Sequence, residues 1–380
     1  MDFETRAIHT GQEPDPRTGA VAVPIYQTST YAQRAVGEYE YDYSRTRNPT
    51  RDALEECLAS LEGAAHGLAF ASGMAAATTV MHLIDPARRV VSVNDVYGGT
   101  YRLFSKVYEP KGYRFTYLSA EQCNTELADH LGDDTAMVWL ETPTNPLLNV
   151  VDLRAAADAA HAAGAVVVVD NTFASPYLQR PIEHGADIVV HSTTKYLGGH
   201  SDLVGGFAAT DDDALADRLA FLQNSLGGVP GPLDAWLVLR GLKTLGVRMR
   251  AHCENAARVV EFLQGHPGVE TVLYPGLPGH PGHAVAARQM DGFGGMVSFL
   301  APSEDEAVAL VARTRIWTLA ESLGGVESLI EVPAAMTHAS TADAPFATPP
   351  NLVRLSVGIE SADDLVADLE TALVRSAARA

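Results

Sequence analysis

Basic residues are scarce in this chain: 27 lysines and arginines stand against 47 aspartates and glutamates over 380 residues, a formal net charge of −20. That imbalance argues against nucleic acid or an anionic membrane as the primary partner, because both call for a basic surface. Cysteine is scarcer still. Cys57, Cys123 and Cys253 lie far apart and match no metal or disulfide spacing, which points to a reduced, intracellular setting. No apolar run approaches the roughly 20 residues of a membrane span. The polar start Met1-Asp2-Phe3-Glu4-Thr5-Arg6 has no signal-peptide core, so the cytoplasm is the expected location. Also missing are a G-x-G-x-x-G fingerprint and a Walker loop, which leaves a nicotinamide-dependent oxidoreductase without its signature. His280 and His283 sit in a Pro/Gly-rich turn, and no metal site is expected there.

What the chain does have is enough apolar material for a large core: 47% of residues are hydrophobic and 19% charged. Residues 1–50 are rich in Pro, Thr, Tyr and Arg without a regular period. Their aromatics (Tyr26, Tyr31, Tyr39, Tyr41, Tyr43) imply packing, most simply as an arm on a neighbouring subunit. Asn48-Pro49-Thr50 opens a helix that Gly63 ends. Over 51–245 strand-like runs alternate with helices: Val90–Val93, Arg114–Leu118, Ala136–Leu140, and Ala165–Asp170 after a helix capped by Asp152. Continuous apolar strands between helices predict a parallel sheet covered on both faces. From 246 to 380 longer helices and sparser strands such as Gly295–Phe299 predict a smaller α+β domain, with a capping box at Ser361.

Two strand ends carry the chemistry. Val166-Val167-Val168-Val169 delivers Asp170, and 25 residues later Ile188-Val189-Val190-His191 delivers Ser192-Thr193-Thr194-Lys195. A lysine after a buried strand can simply be exposed, and an acid there often caps the next helix. Together they meet the needs of a pyridoxal 5'-phosphate (PLP) enzyme: an amine for a Schiff base, and a carboxylate to keep the pyridine nitrogen protonated. Ala71-Ser72-Gly73-Met74 before a helix offers backbone donors to a phosphate, and Ser192 and Thr194 add hydroxyls. Tyr97, followed by Gly98-Gly99, is placed to stack on the cofactor ring. Arg354, alone in the apolar run Leu352–Val357, suits the carboxylate of an amino-acid substrate.

Several segments resemble the Cys/Met-metabolism family of PLP enzymes, which includes cystathionine γ-synthases, γ-lyases, β-lyases and methionine γ-lyases. The motifs are Tyr43-Ser44-Arg45-Thr46-Arg47-Asn48-Pro49-Thr50, Glu141-Thr142-Pro143-Thr144-Asn145-Pro146, Ser192-Thr193-Thr194-Lys195-Tyr196 and Met336-Thr337-His338-Ala339-Ser340, in order along nearly the whole chain. The resemblance implies an α/β, aspartate-aminotransferase-like fold with a large parallel-sheet domain, and a homotetramer built from two tight dimers. It implies Lys195 as the Schiff-base lysine, Asp170 as the pyridine-nitrogen partner and Tyr97 as the stacking ring and an acid for the leaving group. Ser72, Gly73, Met74, Ser192 and Thr194 would hold the phosphate, with Tyr43 and Arg45 reaching it from the neighbouring subunit. Arg354, Asn145, Ser322 and Arg102 would bind substrate, with Glu321 reading a distal amino group. Arg47, where many members have glycine, is a mild departure. Gly99, where methionine γ-lyases look to carry cysteine, and Glu321 together favour a cystathionine γ-enzyme. Glu331-Val332-Pro333 resembles the lyase pattern, so γ-elimination on a sulfur amino acid, with cystathionine first and methionine or homocysteine as alternatives, to a thiol, 2-oxobutanoate and ammonia is expected; γ-replacement of an activated homoserine by cysteine uses the same residues. A protein that keeps the fold and binds without catalysis is the alternative of another class.

Overall fold

Valine-rich runs separated by helices become the central sheet of the computed structural model, which describes residues 1–341, 344 and 346–377. Positions 342, 343, 345 and 378–380 of the C-terminal region expected over 246–380 therefore lie outside the described residues. The strands are β1 (His66–Phe70), β2 (Arg89–Val93), β3 (Arg114–Leu118), β4 (Thr135–Glu141), β5 (Val166–Asp170), β6 (Ile188–Ser192) and β7 (Gly206–Thr210). They lie side by side in the order β1-β7-β6-β5-β4-β2-β3. Six share one direction, and β7 is antiparallel to both of its neighbours. The expected all-parallel sheet is thus mixed. The reason is the connection 193–205, which contains no helix to carry the chain back across a face, so β7 returns beside β6.

That return decides where the chemistry sits. Loop 193–205 stays at the C-terminal ends of the parallel strands, beside Asp170 and Glu141, which are paired in register at the ends of β5 and β4. Open α/β sheets offer their ligand crevice at this edge. Apolar side chains fill both faces of the sheet: Val91, Val138, Trp139 and Val168 belong to one buried cluster, and Phe207, Ala209, Leu58 and Leu239 to another.

Helix Pro49–Glu62 begins as its sequence dictates. The Asn48 side chain accepts from Thr50 N and Arg51 N, Pro49 takes the first helical position, and Gly63 closes it at φ +74°. Arg51 on this helix donates from Nη1 to Ser44 O at 2.8 Å and from Nη2 to Thr46 O at 2.7 Å, which shapes the arm segment around Tyr43 and Arg45.

The second sheet has the order β10-β11-β12-β9-β8, from β8 (Thr271–Leu273), β9 (Met296–Leu300), β10 (Thr318–Leu319), β11 (Leu329–Glu331) and β12 (Leu352–Ser356). Its core includes Leu263, Phe299, Trp317, Leu355 and Leu369. Helix Leu245–Leu263 joins the two sheets. Its buried Arg248 donates from Nη1 to Tyr196 O (2.7 Å) and from Nη2 to Gly241 O (2.9 Å), tying down the loop that bears Lys195. Gly199 is needed there: its φ is +72°, and an added Cβ would lie 2.2 Å from Arg248 Nη1.

Candidate active site

A cavity of about 300 Å³ opens at the C-terminal edge of the first sheet and is closed on its far side by the second. Ser72, Gly73, Met74, Tyr97, Asn145, Asp170, Ser192, Thr194, Lys195, Glu321, Ser322 and Arg354 line it. Residues more than 280 positions apart are thus brought together.

Lys195 Nζ donates to Ser322 Oγ at 2.6 Å. Burial and the nearby Arg354 guanidinium pull the Lys195 amine down to about 8, against the weaker upward pull of Glu331 and Glu321. Ser322 serves twice, since its carbonyl accepts from Arg354 Nη2 at 2.8 Å. It does so from a left-handed backbone at φ +92°, a strained setting for a side-chain-bearing residue. The lowered Lys195 value has a testable consequence. A neutral amine is the attacking form, so the rate at which cofactor-free protein captures PLP rises with pH and levels off above about 8. A lysine at its ordinary 10.5 would keep accelerating beyond pH 9. Stopped-flow absorbance between pH 6.5 and 10.5 separates the two.

Arg354 is 2% exposed. Its Nη1 donates to Asn145 Oδ1 at 2.8 Å and lies 3.1 Å from Glu331 Oε1, while Nη2 uses one bond on Ser322 O. Nε has no partner. The Nε and Nη2 donors of one guanidinium edge therefore remain for an incoming carboxylate, the fork geometry that arginine offers best. Asn145 is held by its own loop: Asp95 accepts from Thr144 Oγ1, from Leu147 N at 3.3 Å and from Asn149 Nδ2 at 3.3 Å. The peptide bonds Thr142–Pro143 and Asn145–Pro146 are cis.

Anion-binding groups gather at the other end. Helix Gly73–Met81 starts at the cavity, with Ser72 as its N-cap accepting from Ala75 N at 3.0 Å. Gly73 packs so closely on Ser192 that an added Cβ would lie 3.0 Å from Ser192 Cβ. The helix N-terminus and the Ser192 and Thr194 hydroxyls thus face one space, which fits a phosphate. Between the two ends stands Asp170. Burial raises its affinity for a proton, opposed by hydrogen bonds from Thr172 and by the charge of His191. Thr172 N donates to Asp170 Oδ1 at 3.0 Å. Glu141, one strand over, is pushed well above the usual carboxylate range by burial and by the Asp170 charge. Two neighbouring acids held apart in proton affinity leave Asp170 as the better anion. A buried acid, an amine of lowered proton affinity, a set of anion-binding donors and an arginine edge share one cavity, and this donor set fits PLP with an amino acid.

Three expected site residues are elsewhere. Arg102 is exposed at the C-terminal end of helix Gly98–Arg102 and does not line the cavity. Thr100 does line it, and two residues along a helix turn a side chain to the opposite face. Tyr43 and Arg45 lie outside this chain's own cavity; Arg45 Nη1 donates to Asn224 O at 2.7 Å. Conversely, sequence reasoning passed over Glu141, Thr172 and His191, all of which line the cavity. Glu141 carried the same signal as Asp170, an acid closing an apolar strand.

The family model for Cys/Met metabolism PLP-dependent enzymes matches residues 4–374. A cystathionine γ-synthase of Mycobacterium tuberculosis is 54% identical over 373 residues, 97% of this chain and 96% of that protein. A cystathionine γ-lyase of Dictyostelium discoideum is 52% identical, covering 97% of each chain. The solved structure of cystathionine γ-synthase from Xanthomonas oryzae pv. oryzae in complex with cystathionine superposes with a TM-score of 0.96 at 45% identity, over 100% of this chain and 99% of that one.

Proposed function

This chain belongs to the Cys/Met-metabolism family of PLP-dependent enzymes, and on that premise we propose that it catalyses γ-elimination on cystathionine, releasing cysteine, 2-oxobutanoate and ammonia with uptake of one water. The observation that carries the choice of substrate is Glu321 on the wall of the cavity that also holds the Arg354 fork and Lys195. One group takes the α-carboxylate and the other a distal ammonium, and cystathionine has both. The direction of cleavage is supported by Glu331-Val332-Pro333, which resembles the lyase pattern.

Bound PLP supplies an aldehyde for the Lys195 amine and a protonated ring that draws off the electron pair left when a Cα proton is removed. The chain's residues do the rest. Asp170 would hold the ring nitrogen as an anion. The Arg354 edge orients the substrate by its carboxylate, so that the Cα–H bond points at Lys195. Lys195 would take the Cα proton and then one from Cβ. Tyr97 delivers a proton to the departing sulfur. Ser72, Gly73, Met74, Ser192 and Thr194 anchor the phosphate, joined in the assembly by Tyr43 and Arg45 of a neighbouring subunit. The exposed apolar side chains of the arm, Val21, Ile25, Val36, Tyr39 and Tyr43, support that use of residues 1–50 and a dimer-of-dimers assembly. Residues 51–245 then form the cofactor domain and 246–380 the C-terminal domain. A cytoplasmic setting is supported by three cysteines that form no disulfide; among the described residues no helix is long and apolar enough to cross a membrane.

A second reading, γ-replacement of an activated homoserine by cysteine, is favoured by the 54% identity to a γ-synthase. Product analysis decides. Incubation with cystathionine is expected to yield cysteine and 2-oxobutanoate. Turnover of O-succinylhomoserine with cysteine alone would establish the synthase instead, and pyruvate with homocysteine would place the cut at Cβ.

A further inference from the structure

Behind Asp170 lies a buried pair that the proposed reaction does not use. His191, on β6, is 1% exposed and lines the cavity; Glu62, in the last turn of helix Pro49–Glu62, is wholly buried. His191 Nε2 is hydrogen-bonded to Glu62 Oε1. The same oxygen accepts from Asn171 Nδ2 at 3.1 Å, and Asn171 is the residue directly after Asp170. Asn171 is held in turn by Gln179: its Nδ2 donates to Gln179 O (2.7 Å), and its Oδ1 accepts from Gln179 Nε2 (3.0 Å). One carboxylate on a helix thus grips the end of β5 and the end of β6 at once.

A core carboxylate against a core histidine costs more to desolvate than two well-packed apolar side chains would. Among the described residues each partner also keeps an atom without a hydrogen bond, Glu62 Oε2 and His191 Nδ1. Such incomplete pairing is a poor device for stability. It makes sense if the charge arrangement matters to a neighbour. Asp170 Oδ1 accepts from Thr172 N, Thr172 Oγ1 accepts from Ser192 N at 2.9 Å, and Ser192 follows His191. The backbone that bears the His191 ring therefore also holds Thr172, the residue that fixes Asp170. Glu141 from β4 is paired in register with Asp170 and its charge would repel it, and Lys195 from loop 193–205 lines the same cavity. The electrostatic pull of His191 on Asp170 acts in the sense that favours the carboxylate anion.

We propose that the Glu62–His191 pair is a positioning device for Asp170, fixing the His191 ring behind the carboxylate so that it meets the cofactor's ring nitrogen as an anion rather than as an acid. In this role His191 and Glu62 act through Asp170. The inference rests on Asp170 being the ring-nitrogen partner, and the test separates the two ideas.

The holoenzyme is reconstituted with PLP carrying ¹⁵N in its ring, and the nitrogen's chemical shift reports whether it is protonated. Wild-type protein, Asp170→Asn, His191→Asn and Glu62→Gln are compared, with circular dichroism and melting temperature as checks on folding. Asp170→Asn moves the shift towards the unprotonated value. His191→Asn and Glu62→Gln move it in the same direction by a smaller amount, lower kcat by on the order of tenfold, the scale on which partners behind a ligand act, and leave KM within about twofold. Glu62→Gln keeps the side-chain shape and carries the test should His191→Asn fail to fold. If Asp170→Asn shifts the nitrogen while neither partner variant does, even with lowered melting temperatures, the pair is merely structural and the proposal is overturned. If Asp170→Asn leaves the shift in place, the assignment of Asp170 itself fails and takes the proposal with it.

Discussion

Replacing Lys195 by alanine is expected to lower turnover by about 10⁴-fold or more, because one change removes both the covalent anchor and the base that moves protons at Cα and Cβ. Folding should survive it. Among the described residues the amine has a single hydrogen-bond partner, Ser322 Oγ, and burial already works against its charged form, so its removal relieves a desolvation cost. The readout need not be activity alone. Borohydride reduction of the PLP-loaded wild type should fix the cofactor's mass to the peptide containing Lys195, and the variant should release its cofactor on denaturation. The chain has four lysines, and the other three, Lys106, Lys111 and Lys243, are absent from the cavity lining. Label on any of those, or an alanine variant that retains wild-type turnover, sinks the assignment.

That experiment probes the part of the site that local sequence made legible. Asp170 and Lys195 each close an apolar strand, and a strand's period and length are written in consecutive residues. Helix Pro49–Glu62 was equally readable, because Asn48 and Gly63 mark its ends by their own backbone chemistry. The direction of β7 was not. Gly206-Phe207-Ala208-Ala209-Thr210 suits either orientation, and only the length and irregularity of loop 193–205 turn it back beside β6. Pairings between distant residues were illegible for a related reason. Glu62 and His191 are 129 positions apart, and nothing at either position announces the other. Arg102 shows the same limit at short range: a motif that placed Tyr97 and Thr100 at the cavity edge said nothing of the helical turn that leaves Arg102 exposed on this chain.

The sharpest case of this kind is the arginine fork, where binding and stability can be pulled apart. Arg354→Met should cost stability and activity together. Stability falls because Glu331, 1% exposed, loses the cation 3.1 Å from its Oε1. Its carboxylate keeps only the Thr337 hydroxyl, which donates to Oε1 at 2.7 Å. Removing one partner of a buried pair costs about 3–5 kcal/mol, read as a fall in melting temperature and in denaturant midpoint. Activity falls because two charge-assisted bonds to the substrate carboxylate disappear at about 1.5–3 kcal/mol each, which lowers kcat/KM on the order of a hundredfold or more. Adding Glu331→Gln to Arg354→Met removes the stranded charge, and most of the lost stability should return. The lost kcat/KM should not, since no donor edge has been rebuilt. Arg354→Lys makes the complementary point: it retains a charge opposite Glu331 but presents a point cation in place of a planar fork, so it should be the more stable variant and still a poor catalyst. Recovery of activity along with stability in the double variant would mean that Arg354 serves the core and that the substrate carboxylate is held elsewhere.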